Sequence, residues 1–349
     1  MSVPVAIAGA TGYTGLELIR LVLAHPSMEL AGLFASPGGS NVGQRVDEVF
    51  PELRGRCDLV LGSGTPEQIL ACSPSVAFLC TPHEASATLA PALVGQCEVV
   101  ADLSGAFRLD ATDYPKHYGF EHPTPDLLAE AVYALPEHNR AAIEGARLLA
   151  CPGCYPTASL LPLKPMLDAG LVREGTTPII DAVSGISGAG RAPSTRTTFG
   201  EVSLQPYGVF KHRHQPEISR HAGRRVLFSP SVAPFFRGML SLVHVEVRPG
   251  VGVDDLRGAL ARAYDASAFV RLLPAGAWPS VAAVERTNFA DIAIAFDDQS
   301  GHAVLACAID NLLKGASGQA VQAVNIRLGL DENAGMPSGR AIASIGGNA

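Results

Sequence analysis

Val3-Pro4-Val5-Ala6-Ile7-Ala8-Gly9-Ala10-Thr11-Gly12-Tyr13-Thr14-Gly15-Leu16 opens the chain and decides its fold. Val3 to Ala8 is a short apolar run that stops at glycine, the pattern of a buried strand. Leu16, Leu18, Ile19, Val22 and Leu23 then recur at helical spacing until His25-Pro26, where proline ends the helix. Between them, Gly9, Gly12 and Gly15 permit a tight turn and close backbone approach, and the helix N-terminus aims N–H donors and positive dipole at a pyrophosphate. Gly9-x-x-Gly12-x-x-Gly15 is a dinucleotide fingerprint with one extra residue in its first gap, and Gly9, Thr11, Gly12, Tyr13, Thr14 and Gly15 are its candidate cofactor contacts.

The next strand selects the cofactor. A carboxylate about twenty residues on usually holds the ribose 2′-OH of NAD. Here that place reads Phe34-Ala35-Ser36-Pro37-Gly38, with no carboxylate. A hydroxyl and backbone amides suit a 2′-phosphate instead, which points to NADP with Ser36 as the contact. Arg45 lies nearby, equally readable as an exposed loop arginine.

Further strand patterns follow at Glu29 to Ala35, Val76 to Cys80 and Glu98 to Leu103, with a helix from Glu84 to Val94 between the last two. Strand, helix, strand in this rhythm predicts an α/β, doubly wound parallel sheet. From about residue 176 the texture changes. Thr177 to Val183, Arg225 to Phe228 and Met239 to Val247 are β-rich, Val253 to Tyr264 has a helical period, and Asp291 to Phe296 and Ala303 to Ile309 read as paired strands. This predicts a second, mixed α+β domain. Asn311 to Leu328 is helical and fits against either domain; the Gly-, Ala- and Asn-rich tail after Asp331 reads as loosely ordered or a surface loop.

Composition agrees. With 349 residues, 47% hydrophobic and 17% charged, the chain can bury two large cores and is not disordered. No apolar run approaches the ~20 residues of a membrane span, and the first residues lack the basic region of a signal peptide. A net charge of −7 without basic clusters argues against nucleic acid. Seven cysteines, an odd number, read as reduced thiols in a cytoplasmic protein, with Cys80 and Cys307 buried in apolar runs.

Two segments carry chemistry. Cys151-Pro152-Gly153-Cys154-Tyr155-Pro156-Thr157 precedes the apolar stretch Ala158 to Leu167. A lone C-x-x-C without a second pair makes a poor metal or redox site, and no metal is expected. Cys154 reads instead as a nucleophile at a helix N-terminus, where N–H groups and dipole lower a thiol pKa. Pro156 fits the first turn, and Cys151 is a packed bystander. Lys211-His212-Arg213-His214-Gln215-Pro216-Glu217 holds the candidate acid/base: histidine is the side chain type that titrates near neutrality, so His214 is expected in that role, with Glu217 to orient or tune it and His212 as a candidate substrate contact. Asp102-Leu103-Ser104-Gly105-Ala106-Phe107-Arg108 closes a strand where α/β sheets place ligand loops, so Ser104 and Arg108 are candidate substrate contacts. Ser184 to Arg191, including Ser187 and Gly188, offers amides and hydroxyls for phosphates, and Asn311 and Lys314 stand near the last helix in an anion-friendly position.

Gly9–Gly15, Asp102–Leu109, Tyr133–Glu137, Pro152–Thr157, Ser184–Arg191, His212–Ile218 and Asp310–Gln322 together resemble the N-acetyl-gamma-glutamyl-phosphate reductase family, within the aspartate-semialdehyde dehydrogenase-like group. Gly105-Ala106, Ala134 and Ala35-Ser36-Pro37 depart from the usual motifs. The resemblance implies a Rossmann-type NADP-binding domain over 1–150 rejoined by 311–349, a catalytic α+β domain over 151–310, and a homo-oligomer, dimer or tetramer. It implies Cys154 as nucleophile, His214 and Glu217 as the acid/base pair and Arg108 on the substrate phosphate. The expected reaction is NADPH-dependent reduction of N-acetyl-5-glutamyl phosphate through a Cys154 thioester, a step of arginine biosynthesis. Alternatives are the carrier-bound aminoadipyl-phosphate reductase of lysine biosynthesis, in which Asn-Ala usually follows the Gly-Cys pair where Tyr155-Pro156 stands here, and aspartate-semialdehyde dehydrogenase. A non-catalytic NADP sensor is the different class, and it has no use for a nucleophile with its own acid/base.

Overall fold

The computed structural model describes residues 2–337. Strands β1 (Val3–Ala8), β2 (Met28–Ala35), β3 (Gly62–Ser63), β4 (Val76–Leu79), β5 (Val99–Asp102), β6 (Val132–Tyr133) and β7 (Leu148–Ala150) form a seven-stranded sheet in the order β3-β2-β1-β4-β5-β7-β6. Every pairing in it is parallel. Alternate side chains of β1 go to opposite faces: Val5 and Ile7 join one apolar core, Ala6 and Ala8 another. A sheet covered on both faces needs the unbroken apolar run that its sequence shows.

Helix α1 (Tyr13–Ala24) begins earlier than the apolar period predicts, because Thr14 and Gly15 make its first turn without contributing to the stripe. Helix α2 (His83–Leu93) joins β4 to β5, and α3 (Pro136–Glu144) joins β6 to β7. Helix α4 (Cys154–Asp168) leads into the second body, followed by α5 (His214–Ala222) and α6 (Val253–Tyr264).

The second sheet is mixed and also seven-stranded: β8 (Ile179–Gly185), β9 (Gln205–Pro206), β10 (Leu227–Ala233), β11 (Met239–Glu246), β12 (Val270–Leu272), β13 (Ala290–Asp297) and β14 (His302–Ile309), ordered β12-β13-β14-β11-β8-β10-β9. One face packs on α4, α5 and α6 through Leu160, Leu163, Ile218, Leu256 and Leu260. On the other face Val183, Leu240 and Leu242 are half-buried and Ile179 is exposed.

After β14 the chain makes a wide turn, Leu313–Ser317, of π-helical type, and enters α7 (Gly318–Arg327). Ala320, Val321, Ala323, Val324 and Ile326 of α7 pack into the core that holds Val5 and Ile7. The chain thus crosses between the two bodies twice. Arg237 also ties them together: Nε and Nη2 donate to Asp310 at 2.7 and 3.1 Å, and Nη1 donates to Glu17 of α1 at 3.1 Å, all buried. Of the tail expected to be loose, Glu332 is anchored, its Oε1 accepting from Gln322 at 2.7 Å; the stretch from 338 lies outside the described residues.

No helix of the described residues is long and apolar enough to cross a membrane.

Candidate active site

A cavity of about 640 Å³ opens between the bodies, at the carboxyl ends of β1 and β4. Gly12, Tyr13 and Thr14 line it beside the glycine turn, Cys154 from the head of α4, His212 and His214 from the start of α5, and His83, Arg108 and Tyr118 from the segments that follow β4 and β5. Its lining includes Arg108, Arg191, Arg196 and Arg213 and no carboxylate among the described residues. Such a wall suits a ligand with several negative charges.

Cys154 is the first residue of α4, behind the extended N-cap Gly153. It is half-buried and faces the cavity. The helix terminus was expected to lower its pKa. Burial outweighs the backbone N–H donors, however, and pushes the thiol up to about 11. A base must therefore take its proton. The wide turn after β14 presses on the same residue from behind: a Cβ at Gly315 would lie 2.7 Å from Cys154 Cβ. Wide π-type turns of this kind recur at functional sites. Cys151 is buried as expected, and so is Cys307; Cys80 is only half-buried and forms part of the cavity wall.

His214 opens α5, and its ring lies against the Gly153 backbone so closely that a Cβ there would meet Nε2 at 2.4 Å. Burial, helped by neighbouring cations, holds its pKa well below 6.5, so the resting imidazole is neutral. Its Nδ1 is buried with no partner among the described residues. The expectation that Glu217 orients this ring is corrected here. Glu217 is fully buried, and its oxygens accept from Arg108 Nη1 at 3.2 Å, Tyr133 Oη at 2.9 Å and the Gly153 backbone N–H at 2.9 Å. It therefore holds the N-cap of the nucleophile's helix, not the histidine. His212 Nδ1 accepts from the His214 backbone N–H at 3.1 Å, and burial lowers its pKa to about 4.

Arg108 is buried and lines the cavity. While Nη1 binds Glu217, Nη2 donates to Leu103 O at 2.8 Å, and Nε is buried with no partner among the described residues. Asp110, the surface partner a loop arginine would take, pairs instead with Arg220. Ser104 departs from its expected place: its hydroxyl donates to Asp102 at 2.8 Å and it does not line the cavity. The loop after β5 needs that hydroxyl for its own turn. His83, readable as a mere loop residue, reaches the cavity wall, accepts from the Gly105 N–H at 2.7 Å, and is driven to about 3 by burial.

At the other end, Gly9 has φ +82°, and a Cβ there would fall 2.4 Å from Cys80 O; one at Gly15 would fall 2.5 Å from Gly9 O. These two glycines let β1, β4 and α1 meet, while Gly12, Tyr13 and Thr14 present backbone to the cavity. That cradle at a helix N-terminus, without a carboxylate beside it, fits a dinucleotide. Ser187, Gly188 and Asn311 line the same space. Asn311 is partly spent on structure, accepting from Gly238 N–H at 2.6 Å and donating to Ser187 Oγ at 3.0 Å. Thr11 faces away from it but accepts a bond from Arg191 through its carbonyl at 3.1 Å. Ser36 is exposed beyond β2, outside the cavity lining, and Arg45 is held by Asp47 at 2.8 Å. Lys314 is no anion site: it is fully buried, donating to Glu137 at 2.6 Å and Gln322 at 2.8 Å. The motifs passed over Tyr118, Tyr207 and Arg196, and gave Arg213 no role although it stands within the Lys211–Glu217 segment; all four line the cavity.

The family described as semialdehyde dehydrogenase, NAD binding domain, matches residues 4–146, and the semialdehyde dehydrogenase dimerisation domain matches 154–311. The N-acetyl-gamma-glutamyl-phosphate reductase of Tolumonas auensis is 45% identical over 335 residues, 95% of this chain and 99% of its own. The chain belongs to the N-acetyl-gamma-glutamyl-phosphate reductases. Reductases of that name from Aeromonas salmonicida and Yersinia pestis are 46% and 45% identical, covering 95% and 93% of this chain and 98% and 97% of theirs. Two solved structures share the reductase's fold. Aspartate semialdehyde dehydrogenase II of Vibrio cholerae has a TM-score of 0.71 at 19% identity, over 94% of this chain and 98% of that one. Aspartate semialdehyde dehydrogenase with NADP from Candida albicans has a TM-score of 0.69 at 15% identity, over 93% and 98%. The α/β sheet with its mixed companion agrees with the fold expected from the sequence.

Proposed function

We propose that this chain reduces N-acetyl-5-glutamyl phosphate to N-acetylglutamate 5-semialdehyde with NADPH, releasing phosphate, as a cytoplasmic enzyme of arginine biosynthesis. The observation that carries the reading is that a Cys at a helix head and a neutral His line one cavity, walled by arginines and free of carboxylates among the described residues. His214 takes the Cys154 proton as sulfur attacks the acyl carbonyl. Arg108 neutralises the leaving phosphate, and Glu217 keeps Arg108 and the Gly153 N-cap in place. Covalent capture matters because a thioester accepts hydride far more readily than a carboxylate. NADPH, when bound along Gly12–Thr14, Ser187, Gly188 and Asn311, supplies that hydride. His214 returns its proton as the carbon–sulfur bond breaks and the aldehyde leaves. His212 borders the substrate.

The division into a cofactor-binding body of 1–150 rejoined by the segment from 311, and a catalytic body of 151–310, follows the two sheets. Half-exposed Leu240 and Leu242 beside exposed Ile179 on the outer face of the second sheet support a homo-oligomer formed through that face.

The test is the reverse reaction. Purified protein receives NADP, phosphate and either N-acetylglutamate semialdehyde or aspartate semialdehyde, and NADPH absorbance is followed. Phosphate-dependent turnover of the acetylated aldehyde alone is expected; turnover of aspartate semialdehyde alone would move the substrate, and turnover of neither would refute the reading.

A further inference from the structure

The proposed substrate has two anionic ends, an acyl phosphate and an α-carboxylate. One arginine, Arg108, stands beside the reacting carbonyl's end of the cavity, already leaning on Glu217. The carboxylate needs another partner, since burying a charge without one is costly.

Resting on the substrate reading above, we infer that Arg213 is the specificity-determining residue that holds the substrate's α-carboxylate. Arg213 is the residue before His214 and sits at the N-cap of α5. It lines the cavity and is exposed to it, with its guanidinium 5.5 Å over the Tyr118 ring. Arg108 pairs with Glu217 and Arg220 with Asp110, whereas Arg213 enters no ion pair among the described residues. Tyr118 packs edge-on against His83 at 4.9 Å, so an aromatic platform on the cavity wall carries the cation. Stacking leaves the planar fork of the guanidinium free for bidentate contact with a carboxylate.

The other free cations of the wall are placed for other work. Arg191 donates to the carbonyls of Thr11 and Val49, at the cofactor end. Arg196 lies over Tyr207, 5.0 Å away, in the loop that follows Ser187 and Gly188. Arg213 alone among them lies over Tyr118, the ring that packs on His83, and carries no hydrogen bond or ion pair among the described residues.

The experiment compares two aldehydes in the reverse direction, N-acetylglutamate semialdehyde and 4-acetamidobutanal, which lacks only the carboxylate. It uses wild type, R213Q, R213K and R196Q. In R213Q the acetylated amino-acid aldehyde should lose roughly 100-fold in kcat/KM, mainly through KM, as a charge-assisted contact disappears. Turnover of 4-acetamidobutanal should stay unchanged, R213K should recover part of the loss, and NADP affinity by fluorescence titration should not move. Equal losses on both aldehydes in R213Q, or a carboxylate-selective loss in R196Q instead, would overturn the assignment while leaving the reaction standing. A wild type inactive on N-acetylglutamate semialdehyde would overturn the substrate reading, and the assignment with it.

Discussion

Glu217 Oε1 accepts a 2.9 Å hydrogen bond from the backbone N–H of Gly153, the residue that caps the helix beginning at Cys154. A carboxylate from the second body thereby fixes where the nucleophile's helix starts. The same group balances buried Arg108 at 3.2 Å. Removing one partner of a buried pair leaves an uncompensated charge and costs about 3–5 kcal/mol. Glu217→Ala should therefore lower stability by about that much in urea titration. Its kcat should fall on the order of 100-fold, the scale of a misplaced reacting group, with NADPH affinity retained. Glu217→Gln keeps an oxygen for Gly153 and should lose less of kcat than of stability. Wild-type kcat in a folded Glu217→Ala enzyme would end the positioning argument.

The Gly153 Cα faces the His214 ring at a distance that leaves no room for a methyl group, since its Cβ would meet Nε2 at 2.4 Å. Gly153→Ala should displace the imidazole from the thiol. A positioned acid/base is worth ~10²–10⁴ in rate, and the loss of kcat should fall in that range with NADPH binding intact. Activity within twofold of wild type would show that the ring has slack to spare.

Burial sets the Cys154 thiol near 11 and keeps His214 neutral. Iodoacetamide reacts with thiolate. In the enzyme without substrate, labelling of Cys154 should be slow at pH 7 and should rise about tenfold per pH unit, as follows from one ionisation, towards pH 11. Mass spectrometry of the peptide carrying Cys154 reads this directly. A rate already at its plateau below pH 8 would mean that the helix terminus, not burial, controls the sulfur.

Burial also depresses seven other histidines below 6.5: His25, His117 and His122, His83 to about 3, and His138, His212 and His221 to about 4. The folded protein keeps them neutral, while the unfolded chain binds protons below about 6.5. Their stability contribution is thus complete above that pH and is lost as pH falls towards 4. Asp102, raised by burial, works in the opposite sense, but it is one group against seven histidines. The urea midpoint should drop between pH 7 and pH 5. An unchanged midpoint would show that these rings are hydrated or already protonated in the folded state.

The strand, glycine turn and helix at the N-terminus were legible because their signals are local: an apolar run, three glycines and a helical stripe. So were Cys154 at its helix head and His214 nearby. Glu217 was seen as important but given the wrong partner, because its real partners lie 64, 84 and 109 residues away. Spacing along a chain carries no trace of such contacts. Lys314 misled for the same reason, as Glu137 is 177 residues distant. The two- and three-residue strands β6 and β7 are too short to show alternation and exist by pairing with their neighbours. Arg213 and Tyr118 look like ordinary loop residues until folding brings them to one wall.

The return of α7 into the first core has a consequence for how the protein is made. The second body is encoded without interruption and can complete its sheet as soon as β14 has left the ribosome. The first body, although synthesised earlier, lacks Ala320, Val321, Ala323, Val324 and Ile326 until α7 emerges. The usual order, in which the N-terminal unit folds first during synthesis, is therefore inverted, and the nascent glycine loop waits for its scaffold until α7 has emerged.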